Sequence, residues 1–143
     1  MRFMMIVKAS KESEAGQMPP MELVQAMGKF NEEMVKAGVM LAGEGLQASS
    51  KGAKVKFTPG AKPTVVDGPF AETKELIAGF WLVQVKSKEE AIAWAMRAPA
   101  PHGPDQATEI EIRQVFESAD FGPEVEASEQ ALRDEIAKRN PKL

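Results

Sequence analysis

The stretch VVDGPFAETKELIAGF, residues 65–80, decides how this chain is read. Val65 and Val66 predict the end of one strand, and Ile77 to Phe80 predict the start of another. Nine residues lie between them, Asp67 to Glu75, where a connection between neighbouring strands needs only two to five. Those nine include three carboxylates (Asp67, Glu72, Glu75), a lysine (Lys74) and an aromatic (Phe70). A connection so long and so charged is expected to do more than join two strands.

Upstream, RFMMIVK (2–8) predicts a strand with Phe3, Met5 and Val7 on one face and Met4 and Ile6 on the other. Apolar content on both faces marks a central strand. Residues 10–18 predict a loop. Pro19 and Pro20 then open a helix running to about Ala37, because proline is tolerated in a first helical turn. Leu23, Met27, Phe30 and Met34 form its buried stripe, widened by Val24 and Val35, and Gly38 closes it as a left-handed cap. VML (39–41) predicts a short strand, followed by a turn-rich AGEGLQASS in which Glu44 sits at a loop tip between two glycines. AKVKF (53–57), a turn at Thr58-Pro59-Gly60 and PTVV predict a hairpin that feeds into the opening stretch.

Downstream, GFWLVQV (79–85) predicts a strand. Ser87 and Glu90 have capping-box spacing for a helix over 88–97 that would bury Ile92, Ala95 and Met96. TEIEIRQVF (108–116) alternates, with Ile110 and Ile112 inward. Without the inner hairpin the order is βαββαβ, the ferredoxin-like split unit, so the predicted class is α+β with an inserted β-hairpin. Helices on one side of the sheet would leave a second apolar face, including Met4 and Ile6, open to water. Two sheets packed face to face across a two-fold axis would cover it, so a homodimeric α+β barrel is expected. Residues 118–143 are read as a linker and an amphipathic helix (125–139) with a stripe of Val125, Leu132 and Ile136. Residues 1–117 form the domain.

The chain has 143 residues, net charge −3 and no cysteine. That length suits one self-sufficient domain, and the absence of cysteine excludes disulfides and thiolate chemistry. No apolar run approaches the ~20 residues of a membrane span, and no signal segment is read, so a cytoplasmic protein is expected. The lysines of KGAKVKF cluster, but without the interleaved aromatics of a nucleic-acid surface, so no direct nucleic-acid binding is expected. Neither a phosphate loop nor a dinucleotide fingerprint is present, and no cofactor is expected.

The opening stretch, extended to VVDGPFAETKELIAGFWLV, resembles the signature of the YCII-related family, in particular its DGPF-domain branch. FNEEMVKAGVMLAGEGLQASS (30–50), SKEEAIAWAMRAPA (87–100) and EIEIRQVFE (109–117) resemble the same branch, so the resemblance covers roughly residues 1–117. It implies a ferredoxin-like dimeric α+β barrel. It also implies two functional directions: small-molecule acid–base catalysis through a His–Asp pair, and an association with sigma-factor genes. The family's histidine would fall near the start of the first long helix, where this chain reads QMPPMELVQAM (17–27) without one. Acid–base work here must then use carboxylates or the single histidine, His102.

The candidates are therefore few. Asp67 is read either as general base or ligand anchor, or as a cap that accepts backbone N–H groups of its own turn. Glu44 and His102 are secondary acid–base candidates. Phe70, Glu72 and Trp81 are candidates to line a ligand site, against the simpler reading of core aromatics and a solvated acid. Glu72 and Glu75 are too few oxygens for Mg²⁺ or Ca²⁺, so no metal is expected. The expected function is a cofactor-independent isomerase- or lyase-like enzyme acting on a small molecule. The alternative is a non-catalytic ligand-sensing or transcription-associated module.

Overall fold

The computed structural model describes residues 1–141. Strand β1 (Arg2–Lys8) lies at the centre of the main sheet. It pairs antiparallel with β5 (Ile77–Gln84) on one side and β6 (Ile110–Gln114) on the other. The edge strand β2 (Met40–Gly45) pairs antiparallel with β5, giving the order β2-β5-β1-β6. This is the ferredoxin-like arrangement, with α2 (Met21–Lys36) between β1 and β2 and α3 (Lys88–Arg97) between β5 and β6. The β-hairpin of β3 (Ala53–Lys56) and β4 (Thr64–Asp67) forms a separate two-stranded sheet. A one-turn helix α1 (Lys11–Glu14) interrupts the expected 10–18 loop, started by reciprocal bonds between Ser10 and Ser13. Helix α4 (Pro123–Arg139) ends the chain.

The core lies on one face of the sheet. Phe3, Met5 and Val7 of β1 and Trp81 and Val83 of β5 are buried there, against Phe30 and Met34 of α2 and Ala91 of α3. Phe30 meets Trp81 edge-on, centroids 5.6 Å apart at 83°, a favoured aromatic geometry. The indole N–H of Trp81 donates to Asn31 Oδ1 at 2.7 Å, so the polar atom of this buried ring is satisfied. Helix α2 ends as expected: Gly38 takes φ +74°, its N–H bonds the Val35 carbonyl, and the Val39 N–H bonds that of Met34. This is a Schellman cap.

Three local expectations are corrected. Val24 and Val35 are exposed and do not widen the α2 stripe. On α3 the buried side is Ala91 with Trp94 and Ala95, while Ile92 and Met96 face outward. Small Ala91 lets the helix approach the sheet, and the Trp94 ring then packs against Phe30, centroids 6.3 Å apart and tilted by 60°. The glycines of AGEG are part of strand β2, not a turn. Gly43 faces Trp81, where a Cβ would come within 2.9 Å of the indole. Gly79 faces Gly45, where a Cβ would meet the Glu44 carbonyl at 2.7 Å. Gly43 and Gly79 are explained by cross-strand room, whereas a Cβ at Gly45 would meet nothing within 4 Å.

The second face of the sheet carries Met4, Ile6, Phe80 and Leu82, all half-buried in the single chain. Cross-strand partners share a face, so one row across the sheet reads Glu44, Phe80, Ile6, Glu111. No helix of the described residues is long and apolar enough to cross a membrane.

Candidate functional site

One end of the sheet gathers most of the candidates. Here β1 finishes at Lys8, β2 at Gly45, and β5 begins at Ile77. The Ala9 N–H bonds the Leu76 carbonyl at 2.9 Å, and the Leu46 N–H bonds that of Ala78 at 2.7 Å. The segment after β2 turns through a single 3-10 turn, Ser49–Lys51, into the hairpin, and the hairpin returns through Asp67 to the DGPF turn.

Ser49 is the hub of this end. Its N–H donates to Glu14 Oε2 at 2.9 Å and its hydroxyl donates to Glu14 Oε1, while its Oγ accepts the Phe70 N–H at 3.0 Å. The Gly68 N–H bonds the Gly52 carbonyl at 3.0 Å. Gly68 lies so close to the Ser49 carbonyl that an added Cβ would stand 1.8 Å from it, which no side chain can occupy. The Gly68–Pro69 peptide is cis. The Lys54 ammonium sits 4.3 Å from the centroid of the half-buried Phe70 ring, a cation–π distance. The DGPF turn is thus clamped onto the root of its own hairpin by a serine, a carboxylate and a glycine contact.

This clamp revises the reading of Asp67. Asp67 is exposed at the last position of β4, paired with Ala53. Among the described residues its carboxylate accepts no hydrogen bond, so it does not cap the following turn. The 3-10 turn beyond it, Thr73–Glu75, starts too far on. The capping is done by Ser49 and Glu14, neither of which sequence reasoning singled out. The signal was present only as the serine pair after AGEGLQA and one of two acids in a short polar segment, Ser49 and Glu14 being separated by 35 positions.

The other candidates divide. Glu44 lies exposed on β2 opposite Phe80, so it belongs to a strand on the second face and not to a loop tip. His102 is half-buried, with Nε2 2.6 Å from the Lys8 carbonyl oxygen. A carbonyl only accepts, so Nε2–H is the donor in this contact. Glu72 is exposed, its carbonyl bonded by the Glu75 N–H. Trp81 is core on the helix side, away from the second face. Close to His102 in the fold, Lys8 and Arg113 hold Glu111, with Nζ at 2.8 Å and Nη1 at 3.2 Å. The Lys8 hydrogen bond first, and that of Arg113 second, lower the Glu111 pKa from its ordinary value.

Two concavities of the single chain lie elsewhere. One, about 380 Å³, is lined by Met1, Arg2, Gln84, Glu117 and Arg133 at the opposite end of the sheet. The other, about 480 Å³, is lined by Lys11, Glu12, Ala15, Gly16 and Gln17 around α1. Neither is lined by Asp67, Glu44, Phe70, Glu72, Trp81 or His102. Among the described residues no three His, Asp or Glu side chains converge as metal ligands would.

Comparison with known proteins places this architecture. The model of the YCII-related domain matches residues 1–119. The chain belongs to the YCII-related family. The match ends within the segment joining β6 to α4, so that helix lies outside the family region. A curated relative, an uncharacterised protein of Rhizobium meliloti (strain 1021), is 34% identical over 86 residues, 60% of this chain and 64% of that protein's length. Among solved structures, a 5-chloro-2-hydroxyhydroquinone dehydrochlorinase from Burkholderia phenoliruptrix AC1100, in complex with 2,5-dihydroxybenzoquinone, is similar. It has a TM-score of 0.44 and 11% identity, covering 86% of this chain and all of that one.

Proposed function

We propose that this YCII-related protein is of the DGPF branch and binds and transforms a small organic molecule without a cofactor, with Asp67 as its acid–base group or ligand anchor. The observation that carries the reading is the clamp. Glu14, Ser49 and the Gly68 contact fasten the DGPF turn, yet Asp67 itself is spared from that fastening. A carboxylate on a rigid support with its oxygens free is what proton transfer or a ligand hydrogen bond needs. The chemistry that fits is a proton shift or elimination, for which one carboxylate as base suffices. Glu44 and His102 stand at the same end of the sheet as further proton carriers.

The molecule is proposed to act as a homodimer, with Met4, Ile6, Phe80 and Leu82 of two sheets facing each other in an α+β barrel. Such pairing would remove a contiguous apolar face from water and would bound the clefts on which the Asp67 turns open. Thermal-shift screening of small cyclic and carbonyl compounds is the first test, since a ligand that binds only the folded state raises Tm. A hit should lose its shift, and any turnover, in Asp67→Asn. That variant should otherwise melt within about 0.5 kcal/mol of the parent, as exposed surface changes do. Undiminished turnover in Asp67→Asn would overturn the assignment. Binding with no turnover of any hit would make the protein a ligand-sensing module.

A further inference from the structure

The polar side chains at the Arg2 end of the sheet serve neither the core nor the DGPF turn, and they surround a concavity of about 380 Å³. Arg2 and Gln84 are cross-strand partners on β1 and β5. They stand next in line to Met4 and Leu82, so they close one end of the second face. Arg133 comes from α4, beyond the family region, and Glu117 from the segment leading to that helix. Met1 supplies the apolar wall. The volume is within the range of small-molecule sites, roughly 300–1,000 Å³.

Both guanidinium groups are held in place. Arg2 Nε donates to Glu117 Oε1 at 3.0 Å, and its Nη2 donates to the Phe116 carbonyl at 3.2 Å. Arg133 Nη2 donates to Ser118 Oγ at 2.8 Å, and Ser118 is buried, only 5% exposed. A guanidinium has five N–H donors in a fixed fork, so each group keeps donors to spare. Among the described residues, Arg2 Nη1, Arg133 Nε and Nη1 and the Gln84 side-chain amide donate to no protein group. The charges themselves are offset. Glu117 pairs with Arg2, and Glu129 lies 3.4 Å from Arg133 Nη2. Directed donors, and not an excess of positive charge, are what this concavity offers a ligand.

Planar forks of N–H groups match the two oxygens of a carboxylate. We infer that the concavity binds the carboxylate of a small organic acid. Arg2 and Arg133 donate to its oxygens, the Gln84 amide fixes its orientation, and Met1 lies against the apolar part of the acid. Helix α4 then contributes a ligand-binding residue, Arg133, that the family region does not contain. The site is separate from the DGPF turn, because the seven residues of β1 set the two ends of the sheet roughly 23 Å apart.

The test is an NMR titration of the ¹⁵N-labelled full chain with succinate and with benzoate, ionic strength being held constant so that screening does not change. Saturable shifts are expected at the Nε–H signals of Arg2 and Arg133 and at the Gln84 side-chain amide. Arg97 and Arg139, paired elsewhere with Glu33 and Glu135, should not move. Gln84→Glu sets a competing carboxylate against the free donors. It should weaken binding about tenfold or more, the worth of a hydrogen bond to a charged group, and Arg133→Gln should do the same. Gln84 is exposed on its strand, so its variant should melt like the parent even if Arg133→Gln loosens α4. Asp67→Asn should leave the titration unchanged; a loss there would overturn the separation of the two sites. No saturable shift with either acid would overturn the proposal, as would binding undiminished in Gln84→Glu. Inorganic phosphate competing as well as succinate would overturn the carboxylate assignment.

Discussion

At the scale of single residues, the DGPF turn depends on atoms that a motif does not display. Gly68 is required because the Ser49 carbonyl occupies the place of its Cβ. Gly68→Ala should therefore cost about 1–3 kcal/mol, as forced overpacking does, read from the urea midpoint. Ser49→Ala removes the oxygen that joins Glu14 to the Phe70 N–H. The loss should be about 1–3 kcal/mol, the cost of leaving such partners unsatisfied, with proteolysis first appearing in the hairpin. If Ser49→Ala left both midpoint and proteolysis unchanged, the clamp would have no mechanical role. Asp67 was conspicuous in the sequence because of its position before Gly-Pro, but its freedom from the turn was not. Whether an acid caps a turn depends on which donors fold back to it, and here the Phe70 N–H goes to Ser49 Oγ.

At the scale of elements, periodicity was a sound guide where one partner dominates. The strand over 2–8, the helix over 88–97 and the left-handed glycine after α2 follow from residues within a few positions of one another. It misled where packing across elements chose the face. In α3, Ala91 and Trp94 decided the rotation, because only the sheet and Phe30 together reward that side. In β2, Gly43 and Gly45 looked like a turn because glycine usually breaks strands, whereas both lie in a strand and Trp81 of the neighbouring strand demands the room at Gly43.

The pairing of β1 with β6 also creates a pH response. Lys8 and Arg113 lower the Glu111 pKa, so Glu111 contributes stability above its unfolded-state pKa and loses it as pH falls through the lowered value. Glu111→Gln should consequently be less stable near neutral pH and lose stability less steeply on acidification. The two proteins should converge at low pH, as followed by urea midpoints across the series. Parallel curves would show that the ion pairs do not couple to folding.

At the scale of the whole molecule, the apolar second face sets the expected assembly. Leu82 lies on it beside Met4. Leu82→Arg should shift the species in sedimentation from dimer to monomer without disturbing the core on the other face, so the circular-dichroism spectrum should be retained. A dimer that survives Leu82→Arg would relocate the interface.

The sequence by itself determined the βαββαβ order with its inserted hairpin and the apolar character of both faces of the central strand. These rest on alternation, capping and glycine and proline chemistry, which act over a few residues. Its DGPF turn also marked the family. Only the tertiary structure decided that Ser49 and Glu14 hold the turn, that Asp67 has no hydrogen bond among the described residues, that Trp81 is core and that Glu44 belongs to a strand. Each of those depends on contacts between residues far apart in the chain, and such contacts are selected by the packing of the sheet as a whole.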